Sequence, residues 1–346
     1  MQEDKKYLIV GGGLTGLSLA YHFYKNNIAF EVVTKEENFS SVVAAGLINP
    51  IVFRRTTKSW EVDTFLPYAK EFYQEIGQLL AKEIWHDLQI RRSFSHEQEK
   101  EDWEKKKKNE NYLPYLGEIN SPSPENLYQE YGTGIVKQAA WIDTNSFIFG
   151  LRDFFQQHNL LHYGNFDVVY DQLKKHQQLE NYKGVIFCEG YELINNPYFN
   201  YLPLDPTKGQ TIEVQSTDIP SDESINRKCF VLPFSNELFR VGATYEWHDS
   251  SLHTTTEGRA QLESDLQNLI RANYTVVNHL AGVRPTVKDR RPLLGQHPTE
   301  KKLYVFNGMG TKGYLIAPFM ANEMLNYLIH NISLNKEIDI KRFDNR

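Results

Sequence analysis

The chain has almost no cysteine. Two, Cys188 and Cys229, among 346 residues can build neither a disulfide framework nor a cysteine-rich metal site, so no metal is expected and a reduced, cytoplasmic setting is the default. Long apolar runs are missing too. Nothing approaches the roughly 18 apolar residues of a membrane-spanning helix, and Met1 to Lys6 has no apolar signal-peptide core, so no membrane span is expected. Nor is positive charge in excess. The formal net charge is −6 and the pI about 6.0, which argues against bulk nucleic-acid binding. No internal repeat is visible.

What is present is ordinary globular composition, 40% hydrophobic and 24% charged. The length suits two domains, or one large α/β domain with an insertion. The chain is rich in rings, with 20 Tyr and 20 Phe. Many must fill cores, and a flat ligand would also suit such a chain.

The most informative stretch is Tyr7 to Leu17. An apolar run leads into Gly11, Gly13 and Gly16, spaced G-x-G-x-x-G, and Leu14, Leu17, Tyr21 and Tyr24 then recur at helical spacing. Strand, glycine turn and helix are the start of a dinucleotide-binding βαβ unit. Gly11 permits the tight turn, Gly13 lets backbone approach a pyrophosphate, and Gly16 lets helix pack on strand. Gly13, Leu14, Thr15 and Gly16 would offer helix N-terminal amides to the phosphates. The second strand, Phe30 to Val33, should end in an acid for the adenosine ribose. Thr34-Lys35-Glu36 stands there instead. Thr34 and Lys35 are the candidate contacts, with Glu36 two places late; exposed loop residues are the alternative.

Further on, Glu37 to Pro50 reads as a loop, and its Ala44, Ala45, Gly46 and Leu47 permit close approach to a ligand. Helices are predicted over Glu61–Leu80, Ser95–Asn109 and Thr144–His158, the last capped by Asp143 or Thr144. Strands are predicted over Ile84–Phe94, Gly134–Asp143, Tyr163–Leu173 and Gly184–Gly190. The last is a continuous apolar run ending in Cys188, Glu189 and Gly190, the pattern of a buried parallel strand whose end lies over a ligand. Lys208–Val214, Cys229–Pro233 and Leu238–Trp247 alternate, as an antiparallel sheet would. A helix over Thr256–Ala272, glycine-rich segments and an apolar-faced closing helix complete the chain.

In this order the segments resemble the D-amino-acid oxidase-like family of FAD-dependent oxidoreductases. The resemblance rests on Gly11–Gly16, Ala44-Ala45-Gly46, Phe187–Gly190, Lys208-Gly209-Gln210, Val241–Tyr245, Gly282–Pro285 and Gly308–Pro318. It implies an α/β fold, a Rossmann-like FAD-binding domain (1–80, 140–205 and 280–346) interrupted by an antiparallel-sheet substrate domain (81–139 and 206–279). It implies FAD, with Val168 of the predicted Tyr163–Leu173 strand among the cofactor contacts. Some members attach FAD through cysteine, but neither Cys188 nor Cys229 lies near the Arg284 or Lys312 segments where such a link is expected, so non-covalent FAD is predicted. It also implies hydride transfer from the C–N bond of a small amine or amino acid to flavin N5, with O2 or another acceptor reoxidising the flavin. Within the family, Gly308–Gly313 with Ala317-Pro318 looks most like the oxidase domain that acts on aminomethyl-uridine in tRNA. No methyltransferase segment accompanies it, and Ala44–Arg55 is written differently, which counts against tRNA as a partner. A non-catalytic FAD-bound interaction protein is the third reading.

Gly310-Thr311-Lys312-Gly313 precedes the last helix. Its amides and dipole suit the flavin N1–C2=O edge, where negative charge collects. Lys312 would add positive charge near N1 or beside O2. The resemblance puts Arg284 at a carboxylate-binding position, and guanidinium matches carboxylate with two parallel hydrogen bonds. Tyr245 would donate to the substrate or wall its pocket. Trp247 and His248 are weaker candidates, and His248 is not assigned as a base. Arg54 and Arg55 read as solvated surface or as an anionic substrate's entrance.

Overall fold

The computed structural model describes residues 5–37, 39–174, 179–247 and 249–344. Two sheets carry the architecture. In the first, Lys6–Val10 runs down the centre, parallel to Tyr182–Phe187 on one side and Phe30–Thr34 on the other. Leu303–Asn307 and Leu161–Tyr163 extend it in parallel, and Leu293–Gln296 closes one edge antiparallel. Leu8 to Val10 and Val185 to Phe187 are buried throughout, as strands covered on both faces must be.

Helix Leu14–Lys25 packs against Gly313–His330, which packs on Val62–Leu80. Phe23, Tyr73, Phe147, Phe155 and Tyr314 fill the space between, each ring contributing roughly 1.5–3 kcal/mol by its burial. The Tyr73 hydroxyl donates to Tyr314 O at 2.9 Å, which satisfies its polar end.

The second sheet is mixed and has nine strands. Its longest ladder joins Leu204–Gln215 to Thr275–Val287 antiparallel, and Leu238–Gly242 pairs on the other side of Leu204–Gln215. Helix Thr256–Gln267 covers one face through Leu262 and Leu266. The other face meets the short helix Phe39–Val43: a Cβ on Gly282 would lie 3.2 Å from Val43 Cβ.

Three expectations are corrected. Tyr163–Leu173 is not a strand; Leu161–Tyr163 is, and Phe166–Lys174 is a helix. Phe166, Val169, Tyr170 and Leu173 are its buried residues, at helical spacing that tertiary packing turns to use. Val168 therefore lies on a helix, 54% exposed. The strand predicted to reach Trp247 stops at Gly242, because Thr244 turns its hydroxyl to accept from Gln210 N at 2.9 Å. The expected 37–50 loop contains the helix Phe39–Val43 and the strand Leu47–Ile48. Asp143 is the N-cap of Thr144–Gln157, accepting from Ser146 N at 3.0 Å.

Candidate active site

The parallel strands end together, and their C-terminal ends bring Gly11, Thr34, Cys188 and Gly308 to one edge. Gly11 has φ +109°, and a Cβ there would fall 2.4 Å from Cys188 O; only glycine allows both. The first helical bond runs from Leu17 N to Gly13 O at 2.9 Å, so the preceding amides belong to the turn. Leu14 N is taken by Ser41 Oγ at 3.1 Å. Ser41 was not singled out in the sequence, since nothing local marks a serine that caps a distant helix.

Across this edge, Glu189 is buried. Tyr170 donates its hydroxyl to one carboxyl oxygen, and Asn196 Nδ2 donates to the other at 2.8 Å. Burial lifts its pKa to about 7. Gly190 and Gly310 have φ +61° and +57°, and nothing lies within 4 Å of the position a Cβ would take at either. Asn307 ties the two segments, donating to Gly190 O at 2.9 Å and accepting from Gly308 N at 2.7 Å. The strand edge is thus an open, glycine-lined cradle.

Thr34 is 2% exposed and faces inward, donating to Lys35 O at 3.2 Å. Lys35 pairs with Glu192 and lies 5.0 Å over the Phe166 ring. Glu36 is exposed. No acid has moved in to replace the one missing at the strand end among these three.

Lys312 commits its amine to protein oxygens. It donates to Asn49 O at 2.8 Å and to Ser59 Oγ, tying the start of the last helix to the small hairpin Ile51–Val52 and Thr57–Lys58. Burial draws its pKa down to about 8. Thr311 beside it is exposed and Gly313 begins the helix. Arg54 and Arg55 are exposed on a turn of that hairpin.

On the large sheet, Arg284 pairs with Thr207 in the ladder and lays its guanidinium flat on Gly209. A Cβ on Gly209 would sit 2.2 Å from Nη2. Nη1 donates to Lys208 O and Thr244 O, both at 3.3 Å, and the Tyr245 ring lies 4.5 Å away. No carboxylate pairs with it among the described residues, and desolvation lowers its pKa. Tyr245 is 57% exposed and Trp247 49%; His248 lies outside the described residues. Lys208 and Gln210 bolt this segment down: Lys208 Nζ donates to Asp249 and Ser251, and Gln210 Nε2 to Glu246 and Thr255. Arg240 reaches back to Val42 O and Ala44 O at 3.4 and 3.3 Å, tying the segment that leads into strand Leu47–Ile48 to the large sheet. Thr211 Oγ1 and Arg240 Nε are buried without a partner.

A parallel sheet with a glycine turn at its C-terminal edge, facing a sheet that presents an uncommitted guanidinium, defines a dinucleotide-dependent oxidoreductase. The chain belongs to the FAD-dependent oxidoreductase (DAO) family, whose model matches residues 6–326. It is an FAD-dependent oxidoreductase, and the glycine cradle fits that cofactor. It is 28% identical over 137 residues to the glycine oxidase of Bacillus subtilis strain 168, an alignment covering 39% of this chain and 36% of that enzyme. It is 22% identical to the tRNA 5-methylaminomethyl-2-thiouridine biosynthesis bifunctional protein of Campylobacter jejuni subsp. doylei, over 85% of this chain and 46% of that protein. The chain thus spans less than half of either relative. Among solved structures, glycine oxidase from Geobacillus kaustophilus superposes with a TM-score of 0.76 at 15% identity, covering 95% of each chain. No helix among the described residues is long and apolar enough to cross a membrane.

Proposed function

We propose that the protein oxidises the C–N bond of a small, carboxylate-bearing amine or amino acid. The observation that carries this is Arg284. Its guanidinium is desolvated, fixed by two carbonyls and stacked on Tyr245, yet no carboxylate pairs with it among the described residues. An unpaired, largely buried cation is costly and becomes favourable when a carboxylate arrives bidentate. Arg284 then orients the substrate, and Tyr245 walls the pocket or donates to it. FAD, when bound, supplies the hydride acceptor. Gly11, Gly13, Thr15 and Gly16 would hold its pyrophosphate, while the Leu14 amide, expected to join them, is committed to Ser41 Oγ. Lys35, Ala44 to Leu47, Cys188 to Gly190 and Gly310 to Gly313 line its remaining length.

The amides that start the last helix stabilise charge at the flavin's pyrimidine edge. Lys312 acts there through Asn49 and Ser59, whose placement it sets. FAD is held non-covalently, because both cysteines are buried and burial raises both thiols. Their unpaired state also supports a cytoplasmic setting. O2 or another acceptor removes the electrons.

The test is anaerobic flavin bleaching across D- and L-amino acids, sarcosine, glycine and modified-uridine nucleosides. Bleaching by a carboxylate-bearing amine is expected. Salt-sensitive tRNA binding with bleaching only by the nucleosides, or no bleaching by anything, overturns the proposal. A protein precipitate that stays yellow in trichloroacetic acid overturns the non-covalent linkage.

A further inference from the structure

Arg152 lies on the helix Thr144–Gln157, 1% exposed, behind the glycine turn. All three of its nitrogens are engaged by protein oxygens. Nε donates to Gly12 O at 3.0 Å, Nη1 to Glu36 O at 2.9 Å and Nη2 to Thr34 Oγ1 at 3.2 Å, with the Tyr163 hydroxyl also in contact. No carboxylate pairs with it among the described residues. Its burial therefore leaves a cation offset only by dipoles, which a fold tolerates at a cost unless a counter-charge joins it.

Two details say where that charge comes from. Gly12 O belongs to the same peptide unit as Gly13 N–H, the amide at the centre of the phosphate-binding turn. A guanidinium on the carbonyl oxygen polarises that peptide and makes the amide a stronger donor. The same fork grips the end of strand Phe30–Thr34, where the ribose-binding acid of this kind of site is missing. Backbone Gly12 and Thr34 touch there: a Cβ on Gly12 would fall 2.9 Å from Thr34 Cβ.

We propose that Arg152 is a positioning residue for FAD. It locks the glycine turn to the second strand and strengthens the turn's grip on the pyrophosphate, and the cofactor's negative charge balances it in place of a protein acid. The adenosine half of the site is thereby organised by a buried cation behind it.

The test is FAD binding to apoprotein, read by flavin fluorescence, with calorimetry of the apo and FAD-bound full chain. Arg152→Met keeps the shape and removes the charge. It is expected to leave the apoprotein's Tm unchanged or raised. FAD should bind about ten- to hundredfold more weakly, the loss expected of charge-assisted hydrogen bonds. ADP, which carries the pyrophosphate without the flavin, should weaken by a similar factor. Arg152→Lys should recover part of both affinities. Unchanged affinity for FAD and ADP in Arg152→Met, or equal Tm losses in the apo and bound forms, would mean a plain structural arginine and overturn the proposal. Should Arg152→Met fail to fold, Arg152→Lys decides: weaker FAD and ADP binding at unchanged apo Tm supports the proposal, and wild-type affinity overturns it. The outcome is independent of the substrate.

Discussion

Arg152 and Arg284 are both guanidiniums withdrawn from water with no carboxylate partner among the described residues, and they are built for opposite ends. Arg152 spends every arm on fixed oxygens of the cofactor-side sheet. Arg284 makes two long bonds, both from Nη1, and keeps Nη2 over a bare glycine. The first is a finished strut. The second is preorganised and incomplete, as a group that must receive a ligand should be. Arg240 differs from both in having a carboxylate partner, Glu213 at 2.7 Å from Nη2, although its Nε is buried without a partner.

The contrast can be broken most severely at the open arginine. Arg284→Met should lower the efficiency of flavin reduction by roughly two to four orders of magnitude, the range for losing one partner of a desolvated charge pair. FAD affinity should stay unchanged. Anaerobic stopped-flow reduction beside flavin fluorescence checks both, and an unchanged substrate dependence would remove Arg284 from the carboxylate site.

Gly209→Ala reaches the same group indirectly. The new Cβ must displace a guanidinium 2.2 Å away. Overpacking of this kind costs about 1–3 kcal/mol, so KM should rise roughly ten- to hundredfold while the limiting reduction rate changes little. A fall in the limiting rate at constant KM would contradict a pure positioning role for the flat surface.

Lys312→Met tests a third buried cation. Its folded pKa of about 8 lies below the ordinary 10.5, so the folded state prefers the neutral amine. Stability held against this group at neutral pH is regained as pH rises from about 8 toward 10.5. The variant should therefore match or exceed the wild type in Tm at pH 7, with that advantage shrinking by pH 10. Flavin reduction should slow by about tenfold as the bonds from Lys312 to Asn49 and Ser59 are lost. A Tm difference that is flat across this window refutes the sign.

The smallest effect is expected at Glu189. Its folded pKa, raised from 4.5 to about 7, means the folded state holds a proton the unfolded chain has released. Stability is present below pH 4.5 and is lost as pH rises through 7. Thermal melts of Glu189→Gln should show a shallower decline between pH 5 and 8 than the wild type, whatever the absolute Tm.

Much of the cofactor side was legible because its signals are local. Strand, glycine turn and helix occupy adjacent residues, and the apolar run into Cys188 names a strand buried on both faces. Arg284 was legible only by resemblance, since nothing in Val283-Arg284-Pro285 says that Gly209 lies beneath it. The stretch from Tyr163 failed for a different reason. Its β-branched and aromatic residues suit a strand, while Phe166, Val169, Tyr170 and Leu173 carry the helical period that packing selected. Arg152 left a trace that sequence could have used. It sits among Phe147, Ile148, Leu151 and Phe155 on the buried face of its helix, where a charge needs a reason. The partners of Lys312, Asn49 and Ser59, could not be read from its own segment, because they lie some 250 residues away in the chain.

The central strand of the parallel sheet is the first to be made, yet it sits between neighbours from residues 30–34 and 182–187, and the helix behind it packs on residues 313–330. A ribosome therefore releases the glycine turn long before its walls exist. Until Gly313 has emerged, the nascent chain exposes a half-sheet with apolar faces and offers no complete place for a flavin. The cofactor's cradle is thus drawn from both ends of the sequence and is complete only once the last helix has been made.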